Sequence, residues 1–332
     1  MRISDFSRYA LSGVAAAMLA GCGGSQPPIG APGAILQTSS IATHADRGKS
    51  WTPPGTTAGR SGDYTASGPL LYVTNLNPIY SDVTVYHADA KDPNPIATIS
   101  DDLNGPAGDC LDSKGTLYVT TEPISNGGSI VEYAFGKTVP MRIITEGIDT
   151  PAFCAIDGDE NLWVTKIGGP NATEYLHGTK KPHAVITKDM VYPTGIAIDS
   201  SGNLYVSNRL SSGGDVVVFP LGSTTPSRTI TDGVTSPVAL AIDASDDLYV
   251  TNVTQSNVEE YAPGQGRPFR TITRGIGTPG GVTVSENNWL FVANYNDTVV
   301  EFRPGSSRPS KREIGNGLHG ANGLAIYPPV LP

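Results

Sequence analysis

The chain has 332 residues, with 31 acidic and 22 basic side chains and a net charge of −9. That balance is poorly suited to a phosphate backbone, and the basic clusters are limited to Lys180-Lys181 and the group Arg308, Lys311 and Arg312, which argues against nucleic acid as a partner. Gly 39 and Pro 27 make about a fifth of the residues, a turn-rich composition that stops short of a disordered polymer.

Arg2 and Arg8 flank the start, and an apolar run from Ala10 to Ala20 follows. Spanning a bilayer takes about 20 apolar residues, so this run fits the core of a signal peptide over 1–21 instead. It ends in Leu19-Ala20-Gly21-Cys22, which resembles the bacterial lipobox. The resemblance implies that Cys22 is acylated, palmitate among its chains, and becomes the new N-terminus. Two or three acyl chains anchor stably where one alone is marginal. Gly23, not Asp, follows the cysteine, which by resemblance to known sorting rules implies the outer membrane in a host that has one. The expected product is an exported lipoprotein whose membrane contact is its N-terminal lipid. Residues 22–66 are rich in Gly, Pro, Ser and Thr with no apolar period, and predict a flexible tether.

From residue 67 the chain repeats itself. The units are Leu71-Tyr72-Val73-Thr74-Asn75, Leu117-Tyr118-Val119-Thr120-Thr121, Leu162-Trp163-Val164-Thr165-Lys166, Leu204-Tyr205-Val206-Ser207-Asn208, Leu248-Tyr249-Val250-Thr251-Asn252 and Leu290-Phe291-Val292-Ala293-Asn294. Their period of about 44 residues predicts one four-stranded propeller blade each. An apolar inner strand precedes each unit after the first, as in Pro193–Ile198, and a third and fourth strand follow, as in Val216–Phe219 and Arg228–Thr231. Asp112, Asp157, Asp199 and Asp243 end inner strands and are expected to cap the hairpin turns. The first unit lacks an inner strand, and Asn322–Ile326 is an inner strand with nothing after it. Joined, they complete a blade. The prediction is an all-β fold, a six-bladed β-propeller of four-stranded blades over 67–328, closed by the C-terminal strand joining the first blade, with 329–332 as a tail.

The segment Pro193–Asn208 resembles an NHL repeat, and Tyr72–Asn75 and Tyr249–Asn252 are similar to the YVTN-type repeat. The likeness covers about 260 residues and implies fold far more than function, because propellers host many unrelated activities.

Cys110 and Cys154 lie on inner strands of consecutive blades, two and three residues before their capping aspartates. Alternation along a strand points the two thiols at facing sides of neighbouring blades. Export permits a disulfide between them, and two buried thiols are the alternative.

The residues ending the second strands, Asn75, Thr121, Lys166, Asn208, Asn252 and Asn294, are expected to ring one mouth of the central channel, with Arg209, Tyr295, His319 and Asn322 nearby. Such a set would suit an unknown small molecule, a glycan or a protein, although Asn at a strand end also caps turns. Resemblance to gluconolactonase-like propellers would imply a metal-dependent lactonase with a divalent cation in the channel, and resemblance to the streptogramin-opening propellers a magnesium-dependent lyase with a His/Glu constellation. The ligand contexts of the gluconolactonase-like family are missing except at Asn322-Gly323, and His44, His87, His177, His183 and His319 show no metal spacing. No cofactor motif, nucleophile elbow or phosphate loop occurs. The sequence therefore favours a surface- or periplasm-facing binding module without a catalytic constellation.

Overall fold

The computed structural model describes residues 63–65, 67–77, 81–122 and 127–332. The signal peptide, Cys22 and nearly all of the tether lie outside the described residues.

The described chain forms strands throughout and no helix, in six four-stranded antiparallel sheets. The first blade holds β1 (Leu70–Leu76), β2 (Ser81–His87) and β3 (Ala97–Ile99). The second holds β4 (Pro106–Leu111), β5 (Leu117–Thr121), β6 (Ser129–Tyr133) and β7 (Arg142–Ile144). The third holds β8 (Pro151–Ile156), β9 (Leu162–Lys166), β10 (Asn171–Tyr175) and β11 (Pro182–Ile186). The fourth holds β12 (Pro193–Ile198), β13 (Leu204–Leu210), β14 (Gly213–Phe219) and β15 (Arg228–Ile230). The fifth holds β16 (Pro237–Ile242), β17 (Leu248–Asn252), β18 (Asn257–Tyr261) and β19 (Arg270–Ile272). The sixth holds β20 (Pro279–Val284), β21 (Leu290–Asn294), β22 (Thr298–Phe302) and β23 (Pro309–Ile314). The last strand, β24 (Ala321–Tyr327), pairs with β1, Leu71 opposite Ile326 and Tyr72 opposite Ala325. The ring is therefore closed by the two ends of the domain.

Inner strands β4, β8, β12, β16, β20 and β24 pack against one another in that cyclic order around the axis. Each is buried at every position, because a neighbouring blade covers either face. This double burial explains why these strands read as continuous apolar runs instead of alternating ones. Their approach near the axis is close. A Cβ on Gly323 would lie 2.5 Å from Thr74 Oγ1 and 2.6 Å from Asp109 Oδ1, so a larger residue would force β24 from β4.

The repeated Thr and Asn have separate structural tasks. Gly108 N–H donates to Thr120 Oγ1 (2.8 Å), and that hydroxyl donates to Ala152 O of the next blade (2.7 Å). Thr165 links Phe153 N to Thr194 O, and Thr251 links Ala239 N to Gly280 O, in the same way. At the closing seam, Thr74 accepts from Gly323 N and donates to Ala107 O. The inner strand breaks register at this point in every blade, and in the five blades with a hydroxyl there (Ala293 stands in the sixth) it satisfies an N–H that the break frees. Each of the four threonine hydroxyls thus mends a bulge and fastens two blades.

The Asp residues behave as expected. Asp112 Oδ1 accepts Lys114 N and Thr116 N, and Asp157, Asp199 and Asp243 accept the equivalent pairs in their own hairpins. Cys110 and Cys154 are joined in a disulfide between the second and third blades.

Two domain edges differ from the sequence expectation. Tyr64, assigned to the tether, is buried: its N–H donates to Gly136 O (3.0 Å) and its hydroxyl to Tyr72 (2.9 Å). Lys137 pairs with Asp63 at 2.7 Å. The fold therefore begins by Asp63, the signal being an aromatic in a Gly/Ser-rich stretch. At the other end, Val330 is buried and Leu331 packs on the cluster around the disulfide, so 329–332 belongs to the packed structure.

Candidate functional site

The loops after the second strands and the linkers between blades share one face. One hydrogen bond repeats six times there: Leu76 N to Gly320 O, Glu122 N to Gly105 O, Ile167 N to Thr150 O, Arg209 N to Tyr192 O, Val253 N to Ser236 O and Tyr295 N to Thr278 O. These six donors are equivalent positions, one residue beyond the repeated Asn. The ring alternates in chemistry. Leu76, Ile167 and Val253, from the odd blades, pack partly buried on the main apolar cluster. The even blades supply Glu122, Arg209 and Tyr295.

Glu122, Arg209 and Tyr295 come from the second, fourth and sixth blades. Tyr295 is under the electrostatic influence of Arg209, Glu122 and Tyr192, and Tyr192 is under that of Glu122 and Arg209. No two of these blades are neighbours, so Tyr295 feels the Glu122 and Arg209 charges from other parts of the ring. Glu122 Oε1 is buried and has no hydrogen-bond partner among the described residues. Burial pushes its carboxyl up to about 8, so at neutral pH it is largely protonated. Burial likewise drives both tyrosine hydroxyls well above their ordinary range, which keeps them as neutral donors.

The amide ring expected to bind ligand serves the blades instead. Asn75, Asn208, Asn252 and Asn294 are buried, with both ends of each amide engaged. Asn252 Oδ1 accepts Thr235 N, and its Nδ2 donates to Gly233 O and Asn257 Oδ1. Asn294 holds Gly277 N and Gly275 O, Asn208 holds Val191 N and Asp189 O, and Asn75 holds His319 N. Lys166 reaches Gly147 O in the same role, while Thr121 bonds Ser129 within its own blade. Each of the amides, and Lys166, fastens the incoming linker to its blade, which consumes the polar groups that a ligand would need. His319 is half-buried in the closing linker near Asp82. Asn322 is fully buried on β24; its Nδ2 donates to Ala107 O (2.9 Å), and its Oδ1 has no hydrogen-bond partner among the described residues.

Glu122 and Tyr192 escaped the sequence reading. The signal available was positional: Glu122 occupies the same slot as Arg209 and Tyr295, one step past the repeated strand.

Two further groups lie away from the mouth. Asp109, on β4 facing β24, is fully buried, and apart from its own N–H neither oxygen has a partner among the described residues. Asp112, Glu160 and His177 lie on the opposite face, one ligand atom from each within 4.8 Å of the others. They are the described groups that could hold a metal ion, although Asp112 Oδ1 and Glu160 Oε2 already accept backbone N–H groups.

No family model and no curated protein sequence matches this chain. Solved structures do. One chain of the nidogen/laminin complex is similar over 78% of this chain and 98% of its own, with a TM-score of 0.66 and 18% identity. A protein of unknown function from Bacteroides caccae is similar over 78% of this chain and 99% of its own, with a TM-score of 0.61 and 11% identity. These likenesses show the propeller fold. At such identities they carry no activity or partner across.

Proposed function

We propose that this chain is an exported, lipid-anchored binding protein whose propeller captures a small ligand at the mouth framed by Glu122, Tyr192, Arg209 and Tyr295. The observation that carries the reading is the buried Glu122 Oε1, without a hydrogen-bond partner among the described residues, on a blade-end position whose equivalents Arg209 and Tyr295 share one electrostatic neighbourhood with it. Side chains needed only for folding repeat from blade to blade here, as the Thr and Asn staples do. These differ at one equivalent position and gather where a ligand would enter. The lipobox-like Leu19–Cys22 and the Cys110–Cys154 disulfide support export to an oxidising compartment. The metal-dependent lactonase or lyase reading finds less support, because the ring offers a divalent ion one carboxylate, Glu122.

The mouth is tested by ligand-observed NMR on the purified full-length chain. The panel holds neutral monosaccharides, amino acids, dipeptides and dicarboxylates. Binding of any member that is lost in Arg209→Met supports the site. No binder, or binding that survives unchanged in Arg209→Met and Tyr295→Ala, overturns it. The anchor is tested by labelling cells with a palmitate analogue: label on the wild type and none on Cys22→Ser is the expected result, and an unlabelled wild type refutes it.

A further inference from the structure

On the face opposite the mouth, the seam between the second and third blades carries three side chains able to ligate a metal. Asp112 follows β4, Glu160 stands in the hairpin between β8 and β9, and His177 in the hairpin between β10 and β11. One ligand atom from each lies within 4.8 Å of the other two. An ion centred among atoms so spaced stands at most about 2.8 Å from each, and a zinc-type ion binds nitrogen and oxygen at about 2.0–2.2 Å. The remaining closure, under about 1 Å, falls largely to His177, whose side chain is exposed and able to turn. The turns are already held together: Ser113 N–H donates to Glu160 Oε2 across the seam (3.3 Å), and His177 N–H donates to Asn161 Oδ1 beside Glu160 (3.1 Å).

The spare oxygen of Asp112 points independently to a ligand. In the three other capped hairpins the second aspartate oxygen is occupied. Asp157 Oδ2 accepts Asn161 Nδ2 and Trp163 Nε1, Asp199 Oδ2 accepts Asn203 Nδ2 and the Tyr205 hydroxyl, and Asp243 Oδ2 accepts the Tyr249 hydroxyl. Asp112 is only 1% exposed and gives Oδ1 to the N–H groups of Lys114 and Thr116, yet its Oδ2 accepts no hydrogen bond among the described residues. A carboxylate oxygen so placed gains from any donor or cation that reaches it. Glu160 repeats the pattern. Its counterpart in the fifth blade, Asp246, gives both oxygens to Ser200, whereas Glu160 Oε1 accepts nothing among the described residues. The slot of His177 holds Phe135, Leu221, Pro263 and Pro304 in other blades, so an imidazole there answers no need that the blades share. Arg142 lies close to the His177 hairpin but is paired with Glu132 at 2.6 Å, which leaves the two carboxylates to set the local charge.

We propose that Asp112, Glu160 and His177 bind one transition-metal dication of the zinc type, with water completing its coordination, and so clasp the second blade to the third. An imidazole with two carboxylates suits zinc, cobalt or nickel, whereas magnesium and calcium take oxygen ligands. The site is separate from the mouth and stands whether or not the mouth takes a ligand.

The test is isothermal titration with Zn²⁺ of the purified full-length chain, freed of metal with EDTA and dialysed, at pH 7.5. The expected result is one Zn²⁺ per chain, a Tm that rises with added Zn²⁺, and at least tenfold weaker binding in both His177→Ala and Glu160→Gln. Neither variant touches the Asp112 cap, so both should fold. His183→Ala removes the other described histidine beside a carboxylate, Glu174 at 4.0 Å, and should bind as the wild type does. A tenfold excess of Mg²⁺ or Ca²⁺ should leave the Zn²⁺ affinity unchanged. No binding at Zn²⁺ up to about 100 µM, binding that survives unchanged in either His177→Ala or Glu160→Gln, or binding lost in His183→Ala overturns the proposal.

Discussion

Asp109→Leu should stabilise the protein. Asp109 occupies a position that the other blades fill with Cys154, Ile196, Leu240, Val282 and Leu324, and leucine reproduces its branching atom for atom. In the wild type two buried carboxyl oxygens lack partners among the described residues beyond Asp109's own N–H. At about 1–3 kcal/mol for each unsatisfied buried group, their removal should gain about 2–6 kcal/mol. For a domain of this size that corresponds to a rise of roughly 4–24 °C in Tm. The pH dependence carries a sign. Burial raises the folded carboxyl well above its ordinary value. The native state therefore binds a proton that the unfolded state releases above about pH 4. Wild-type stability is fullest below that pH and is lost as pH rises through the folded value, by up to about 1.4 kcal/mol per unit. The advantage of Asp109→Leu should accordingly be larger at pH 7.5 than at pH 4.5. Thermal and urea unfolding at both values measure it. A variant that melts below the wild type at both, or gains equally at both, would refute the orphaned-carboxyl account. The reverse change, Leu240→Asp, should recreate the penalty in another seam.

Thr120→Val keeps the shape and deletes the hydroxyl that serves Gly108 N and Ala152 O. Two buried backbone groups are left bare, so the urea midpoint should fall by an amount equivalent to about 2–4 kcal/mol. Replacing Cys110 and Cys154 together by Ala opens a loop with a sequence separation of 44. The chain-entropy relation puts the loss near 4 kcal/mol, measured against the oxidised wild type by denaturant unfolding. Glu122→Gln removes a carboxyl held at about 8 in the fold against an ordinary 4.5. The wild type should lose stability as pH rises from about 4.5 through 8, and the variant should show a flatter profile with a higher Tm at pH 8.5. An identical pH profile in the two proteins would mean that Glu122 is solvated as an ordinary surface carboxylate.

The recurrence of Asn75, Asn208, Asn252 and Asn294 pointed the sequence reading toward a ligand ring, and in the structure their amides hold linkers. A side chain repeated in four of the six blades answers a need that those blades share. A ligand breaks the symmetry of the ring, so its contacts belong at positions where equivalent residues differ.

The sequence by itself determined the strands, the blade count, the capped hairpins and the closure, because each depends on interactions within one repeat or between consecutive ones. Leu70–Asn75 without an inner strand and Asn322–Ile326 without outer ones left a single way to pair. Only the tertiary structure decided which chemistry faces the channel. Glu122, Arg209 and Tyr295 are each about two repeats apart, and nothing local relates a carboxyl, a guanidinium and a phenol. Glu122 and Arg209 come to act electrostatically on Tyr295 when the ring shuts and brings one slot of every blade to the same face. The same closure strands Asp109 between β4 and β24, a cost that no single repeat reveals.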